Sequence, residues 1–126
     1  MKKLLPLLAL TALFSHAAEI PDTAKVGHFY AGCQAYTFRL FSVMEAIEKT
    51  ARAGGKTIEF YPRQKLSPEQ PDAVFNHESA PEVIAAVKAK LAEKDVTAVA
   101  YGVVRLGSNE VENRKVFEFC KTMGIG

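Results

Sequence analysis

Thr57-Ile58-Glu59-Phe60-Tyr61 sets a single carboxylate inside a β-rich apolar run that Pro62 stops. Burying an unpaired carboxylate is costly, so Glu59 calls for either a ligand or a buried partner such as an arginine; both readings stay open. The other side chains with chemistry give weaker signals. His77-Glu78 closes a polar loop, Arg63 to His77, where a histidine either reaches a substrate or meets only solvent. It is not half of a zinc-protease motif, because no second histidine follows at the required spacing. His28 has no partner in sequence. Cys33 and Cys120 fall in a strand and a helix of different layers, so each is expected as a free buried thiol rather than half of a disulfide. No histidine stands close enough in sequence to either to build a nucleophilic dyad. Gly54-Gly55 follows a helix, whereas a phosphate-binding loop precedes one. Lys88, Lys90 and Lys94 read as a solvated helix face.

The elements that must position these groups alternate. Gly32 to Phe38 reads as a strand of mixed small and aromatic residues. Ser42-Val43-Met44-Glu45 is a capping box. It opens a helix with Val43, Ile47 and Ala51 on one stripe, and Gly54-Gly55 ends that helix at a left-handed cap. Thr57 to Tyr61 is the second strand. Ser79-Ala80-Pro81-Glu82 reads as a second capping box with proline in the first turn, followed by the stripe Val83, Ile84, Val87, Leu91. Val96 to Val104 is almost continuously apolar, as parallel strands buried on both faces are. Asn109, with Glu112 three residues on, opens a third helix whose buried stripe is Val116, Phe119, Cys120 and Met123, with Gly124 as its cap. Three βα units in succession predict an α/β fold with a parallel sheet and right-handed crossovers.

Composition narrows the class. The chain has 126 residues, 48% hydrophobic and 24% charged, with 16 basic against 14 acidic side chains. A net charge of +2 and no long basic run leave no electrostatic footprint for nucleic acid. Two cysteines cannot build a disulfide scaffold. Met1-Lys2-Lys3, the apolar stretch Leu4 to Phe14 and the small residues Ser15-His16-Ala17 form the pattern of a secretory signal peptide over 1–17, cleaved after Ala17. The expected location is therefore exported, periplasmic or secreted, with no membrane association after cleavage. Residues 18–29 form a lead-in and 30–126 the folded body. Three parallel strands leave two edges, and Val96 to Val104 wants neighbours on both sides. The expectation is that this is the N-terminal part of a longer βα-repeating fold whose fourth strand would begin after Gly124.

Gly32-Cys33-Gln34-Ala35-Tyr36-Thr37-Phe38-Arg39, the helix with Glu45-Ala46-Ile47-Glu48-Lys49, and Ala53-Gly54-Gly55 resemble the first βα unit of the xylose-isomerase-like TIM barrels. Thr57 to Pro62 is similar to that family's second strand and Val99 to Val104 to its third. The resemblance covers residues 30–126 and implies the first three βα units of a (β/α)8 barrel, an incomplete parallel sheet with flanking helices; a whole barrel takes about 250 residues. It implies a sugar or sugar-phosphate isomerase or epimerase, in which a divalent metal (Mg, Mn, Zn or Co) polarises substrate oxygens, a proton or hydride shifts between adjacent carbons, and carboxylates act as acid and base. In the family the metal ligands come from the fourth strand onward, so no metal site is carried over to this chain and no catalytic residue is assigned.

Barrel sites lie at the C-terminal ends of strands. On that rule the resemblance selects Tyr36, Phe38 and Arg39 from the first strand, Glu59 and Tyr61 from the second and Tyr101 from the third, with Gln34 lower on the first strand. Aromatic rings suit the apolar face of a sugar, and Gln or Glu its hydroxyls; for Tyr36 and Phe38, barrel-core packing is the competing reading. The expected partner is a small sugar or polyol, with an unphosphorylated one favoured by export. The chain alone is expected to lack isomerase activity. The alternative is a non-catalytic carbohydrate-binding or self-assembling βα protein that associates through its open sheet edges. An endonuclease of the same barrel superfamily is disfavoured by the near-neutral charge and the signal peptide.

Overall fold

A computed structural model describes residues 20–126; the signal-peptide expectation lies outside the described residues. The short strands β1 (Lys25–Val26) and β2 (Phe29–Tyr30) pair antiparallel around Gly27. Then come β3 (Gly32–Gln34), α1 (Val43–Arg52), β4 (Thr57–Phe60), β5 (Gln64–Ser67), β6 (Gln70–Phe75), α2 (Pro81–Glu93), β7 (Thr97–Tyr101) and α3 (Glu110–Met123). β3, β4 and β7 form a parallel sheet in that order, and β5 pairs with β6 antiparallel. The fold is therefore α/β, with a parallel sheet and flanking helices. Among the described residues no helix is long and apolar enough to cross a membrane.

The helix ends follow the sequence chemistry. The Ser42 hydroxyl accepts from the Glu45 backbone N–H at 3.3 Å, and Glu45 Oε2 accepts from the Ser42 N–H at 2.9 Å, closing the capping box. The Asn109 side chain accepts from the N–H groups of Val111 and Glu112, and Gly124 caps α3 at φ 79°. α2 differs: its N-cap is Ala80, with no side-chain cap and proline in the first turn. The Ser79 hydroxyl instead accepts from the Asn76 N–H at 2.9 Å, closing the turn before the helix.

Three further expectations are corrected. The first strand stops at Gln34, and Ala35–Phe38 is a 3₁₀ turn. Among the described residues β3 pairs with β4 alone; once the ladder ends at Gln34–Glu59, a helical turn satisfies the backbone locally, as in Arg39 N–H donating to the Tyr36 carbonyl at 3.1 Å. The polar stretch after β4 is the β5–β6 hairpin, turning at Pro68-Glu69. Its inward positions are Gln64, Leu66 and Phe75, each nearly without exposure. The third strand is shorter than its apolar run: Val96 is buried, but Val103 is 88% exposed beyond the strand end.

One face of the sheet is covered. Ile58, Phe60 and Ala98 join Val43 and Ile47 of α1, Val87 of α2 and Phe119 of α3 in a single core. Phe75 brings the hairpin into it, 5.3 Å from Phe60 and 5.4 Å from Phe119 between ring centroids. The opposite face carries Gln34, Thr57, Glu59 and Ala100; Thr57 is buried, its hydroxyl donating to the Ala31 carbonyl at 3.4 Å, and no helix or further strand packs over the rest among the described residues. The outer edge of β7 pairs with nothing among those residues.

Candidate functional site

The uncovered face positions the sharpest candidate. Gln34 and Glu59 are register partners, so both side chains leave the sheet on the same side. Gln34 Nε2 donates to Glu59 Oε1 at 3.2 Å. The partner of the mid-strand carboxylate is thus an exposed amide and not an arginine, and Glu59 forms no ion pair among the described residues. One oxygen of the carboxylate is held while the other keeps its lone pairs for a ligand.

Beside this pair lies a pocket of about 340 Å³ lined by Gln34, Tyr36, Tyr61, Pro62, Gly102 and Val103. Glu59 borders it: a Cβ added at Gly102 would stand 3.5 Å from Glu59 Oε1. The Tyr36 and Tyr61 rings meet edge to face at 5.2 Å, and the Arg39 guanidinium lies over the Tyr36 ring at 5.4 Å from its centroid. Burial pushes the Tyr61 phenol up and the nearby Tyr36 adds to this, while the Arg39 charge pulls the other way. The 3₁₀ turn makes this arrangement possible, because it swings Tyr36 and Arg39 over the ends of β3 and β4 where a continuing strand would have carried them away. Gly102 and Val103, which line the pocket, were not among the sequence candidates; the glycine directly after an apolar strand was the available signal.

Phe38 and Tyr101 stand elsewhere. Phe38 packs against the core, its carbonyl accepting from Gln64 Nε2 at 3.4 Å. That buried glutamine also donates to the Phe41 carbonyl at 3.1 Å, fastening the hairpin to the turn. Tyr101 is turned to the covered face by a β-bulge. Ile58 pairs with Ala98 but Glu59 pairs with Ala100, so Val99 is an extra residue and Tyr101 falls opposite Phe60. Uninterrupted alternation would have put Tyr101 on the face of Glu59. Its ring instead lies 4.7 Å from that of Phe119. Its hydroxyl accepts from the His77 backbone N–H at 3.2 Å and lies 3.0 Å from His77 Nδ1. Burial is the main cause that pushes the Tyr101 phenol up to about 12.

Glu78 and Cys33 have structural partners. Glu78 pairs with Lys115 at 3.6 Å. Cys33 Sγ lies 3.0 Å from Thr50 Oγ1, and both cysteines are free thiols; burial raises the Cys120 thiol. A wider groove of about 580 Å³ over α1 and α2 is rimmed by Glu45, Glu48, Glu69 and Glu93. There Glu45 is spent on the helix cap, and Lys90 pairs with Glu48 at 2.5 Å and Glu93 at 3.3 Å. Among the described residues no three His, Cys, Asp or Glu side chains stand close enough to hold a metal ion. Glu59, with an amide beside it and no second carboxylate or imidazole, does not fit the divalent metal that the family resemblance implies.

No family model matches this chain, and no curated protein does. Among solved structures it is similar to the crystal structure of an uncharacterized protein from Parabacteroides distasonis ATCC 8503, with a TM-score of 0.68 and 26% identity. The match covers 75% of this chain and 40% of that one, so the chain spans less than half of that neighbour's length.

Proposed function

We propose that the three parallel βα units correspond to the first three of a xylose-isomerase-like (β/α)8 barrel, and that the uncovered sheet face holds a sugar or polyol for isomerisation or epimerisation. The observation that carries this reading is the juxtaposition on that face: a carboxylate positioned by an amide, beside a tyrosine pair that walls a pocket. Either tyrosine ring offers a flat apolar surface to the C–H face of a sugar ring, and an oriented carboxylate and amide accept and donate to vicinal hydroxyls. In this chain those residues bind and orient; no proton transfer is assigned to them, and no step is routed through a metal.

Calorimetric titration of the purified chain with D-glucose and with xylitol tests the binding, alongside Glu59→Gln and Tyr36→Ala. The reading expects saturable binding that weakens about tenfold in each variant, the size of one lost charge-assisted or stacking contact. Binding unchanged by both substitutions overturns it. A metal-supplemented isomerisation assay of the same chain is expected to give no turnover; turnover would show that its own residues complete a catalytic set.

A second reading, a self-assembling carbohydrate-binding protein, is favoured by one observation. β7 is a charge-free strand whose outer edge pairs with nothing among the described residues, and such edges template pairing with another chain. A discrete oligomer in size-exclusion chromatography supports that reading, and a monomer excludes it.

A further inference from the structure

We infer that the pocket selects sugars bearing a carboxylate, with Arg39 as the residue that recognises it; this rests on the carbohydrate reading above. Two opposite charges neighbour residues that line the pocket. Glu59 is held by Gln34 at 3.2 Å and presents an acceptor to hydroxyl groups. The Arg39 guanidinium lies 5.4 Å from the centroid of the Tyr36 ring.

Arg39 is exposed, and its guanidinium forms no ion pair among the described residues. The cation–π contact with Tyr36 is electrostatic and does not consume the N–H donors of the group. Its charge also reaches the second tyrosine of the wall, where it opposes the upward shift of the Tyr61 phenol. The result is a cation with unspent donors beside the two tyrosines that line the pocket.

The chemistry of the two charges defines the ligand. A guanidinium fork matches a carboxylate through two parallel N–H···O bonds. A phosphate dianion gains most from several converging donors, and here it would meet one guanidinium and the Glu59 carboxylate. A uronic or aldonic acid satisfies both charges at once: its hydroxyls meet Glu59 and Gln34, its C–H face meets one of the two tyrosine rings, and its monoanionic carboxylate meets Arg39.

The test is calorimetric titration of the full chain at low salt with D-glucuronate, D-glucose and D-glucose 6-phosphate, repeated on Arg39→Gln and Arg39→Lys. D-Glucuronate is expected to bind about tenfold more tightly than D-glucose and more tightly than the phosphate ester. The acid-to-neutral ratio should fall close to one in Arg39→Gln and to an intermediate value in Arg39→Lys, which keeps the charge but loses the fork. Circular dichroism establishes that each variant is folded, and the lysine variant carries the test should the glutamine variant not be. Equal affinity for glucuronate and glucose, a preference that survives Arg39→Gln, or tighter binding of the phosphate ester overturns the inference while leaving the carbohydrate reading standing. Binding of none of the three overturns both.

Discussion

Replacing Tyr101 by phenylalanine separates the two faces of the sheet experimentally. The substitution keeps the ring against Phe119 and removes only the hydroxyl. That oxygen accepts from the His77 backbone N–H at 3.2 Å and lies 3.0 Å from Nδ1 of the same histidine. Losing it leaves a half-buried N–H and a ring nitrogen without their partner, a cost of about 1–2 kcal/mol, which in a domain of this size lowers Tm by about 5–10 °C. Alkaline pH gives a second readout. The phenol stands at about 12 in the folded chain against an ordinary 10.0. The unfolded chain therefore releases this proton first, and the stabilisation present below pH 10 is lost as pH rises from 10 to 12. Taken whole, two units would be about 2.7 kcal/mol; partial exposure of the group reduces this to about 1 kcal/mol. Thermal denaturation at pH 7 and at pH 11 checks both parts: the wild type should lose more stability than Tyr101→Phe across that interval. Sugar affinity should be the same in the two proteins. An unchanged Tm together with weakened sugar binding would refute the reasoning and return Tyr101 to the uncovered face.

Three other substitutions probe the frame that carries the site. At Gly32 a Cβ would stand 1.9 Å from Thr57 Oγ1 and 2.4 Å from the Thr57 carbonyl oxygen, so Gly32→Ala must push β3 off β4; it should cost about 3 kcal/mol in urea denaturation and weaken sugar binding by separating Gln34 from Glu59. Ser42→Ala opens the capping box of α1 and should cost about 1 kcal/mol by the same measurement. The Ser42 N–H, then its hydroxyl, hold Glu45 below the usual carboxylate range, so the stabilisation from this box is lost as pH falls from about 4.5 through the lowered folded value, and the wild type should show more of that acid loss than the variant. Phe75→Ala removes a fully buried ring that meets Phe60 and Phe119 and should cost about 3–5 kcal/mol; a cost below 1 kcal/mol would mean the hairpin is not part of the core.

Where one residue type dictates local geometry, the sequence was readable. Ser42 with Glu45, Asn109 ahead of α3 and Gly124 after it stand at the helix ends they signal, because a cap depends only on side-chain and backbone atoms a few residues apart. Glu59 drew notice for the same reason: a carboxylate among apolar neighbours conflicts with its surroundings at first sight. Features that depend on tertiary partners were hidden. Gln64 looks like a loop residue, yet it is buried because the Phe38 and Phe41 carbonyls need donors. Ser79 resembles a cap, but the Asn76 N–H takes its hydroxyl first. Nothing in Val-Thr-Ala-Val-Ala-Tyr announces a bulge at Val99, and that one extra residue decides which face receives Tyr101. The turn at Ala35 was concealed by a run of strand-forming residues, and it sets where Tyr36 and Arg39 stand.

The proposed occupant of the bare side of the sheet is a sugar. The most direct measurement is a titration of the ¹⁵N-labelled chain with D-glucose, followed by amide and side-chain amide shifts. Saturable changes are expected to cluster at Gln34, Tyr36, Glu59, Tyr61 and Gly102 and to spare Phe119, Val87 and Ile47. Changes confined to the helical layer, or none at millimolar sugar, would contradict the proposed occupancy.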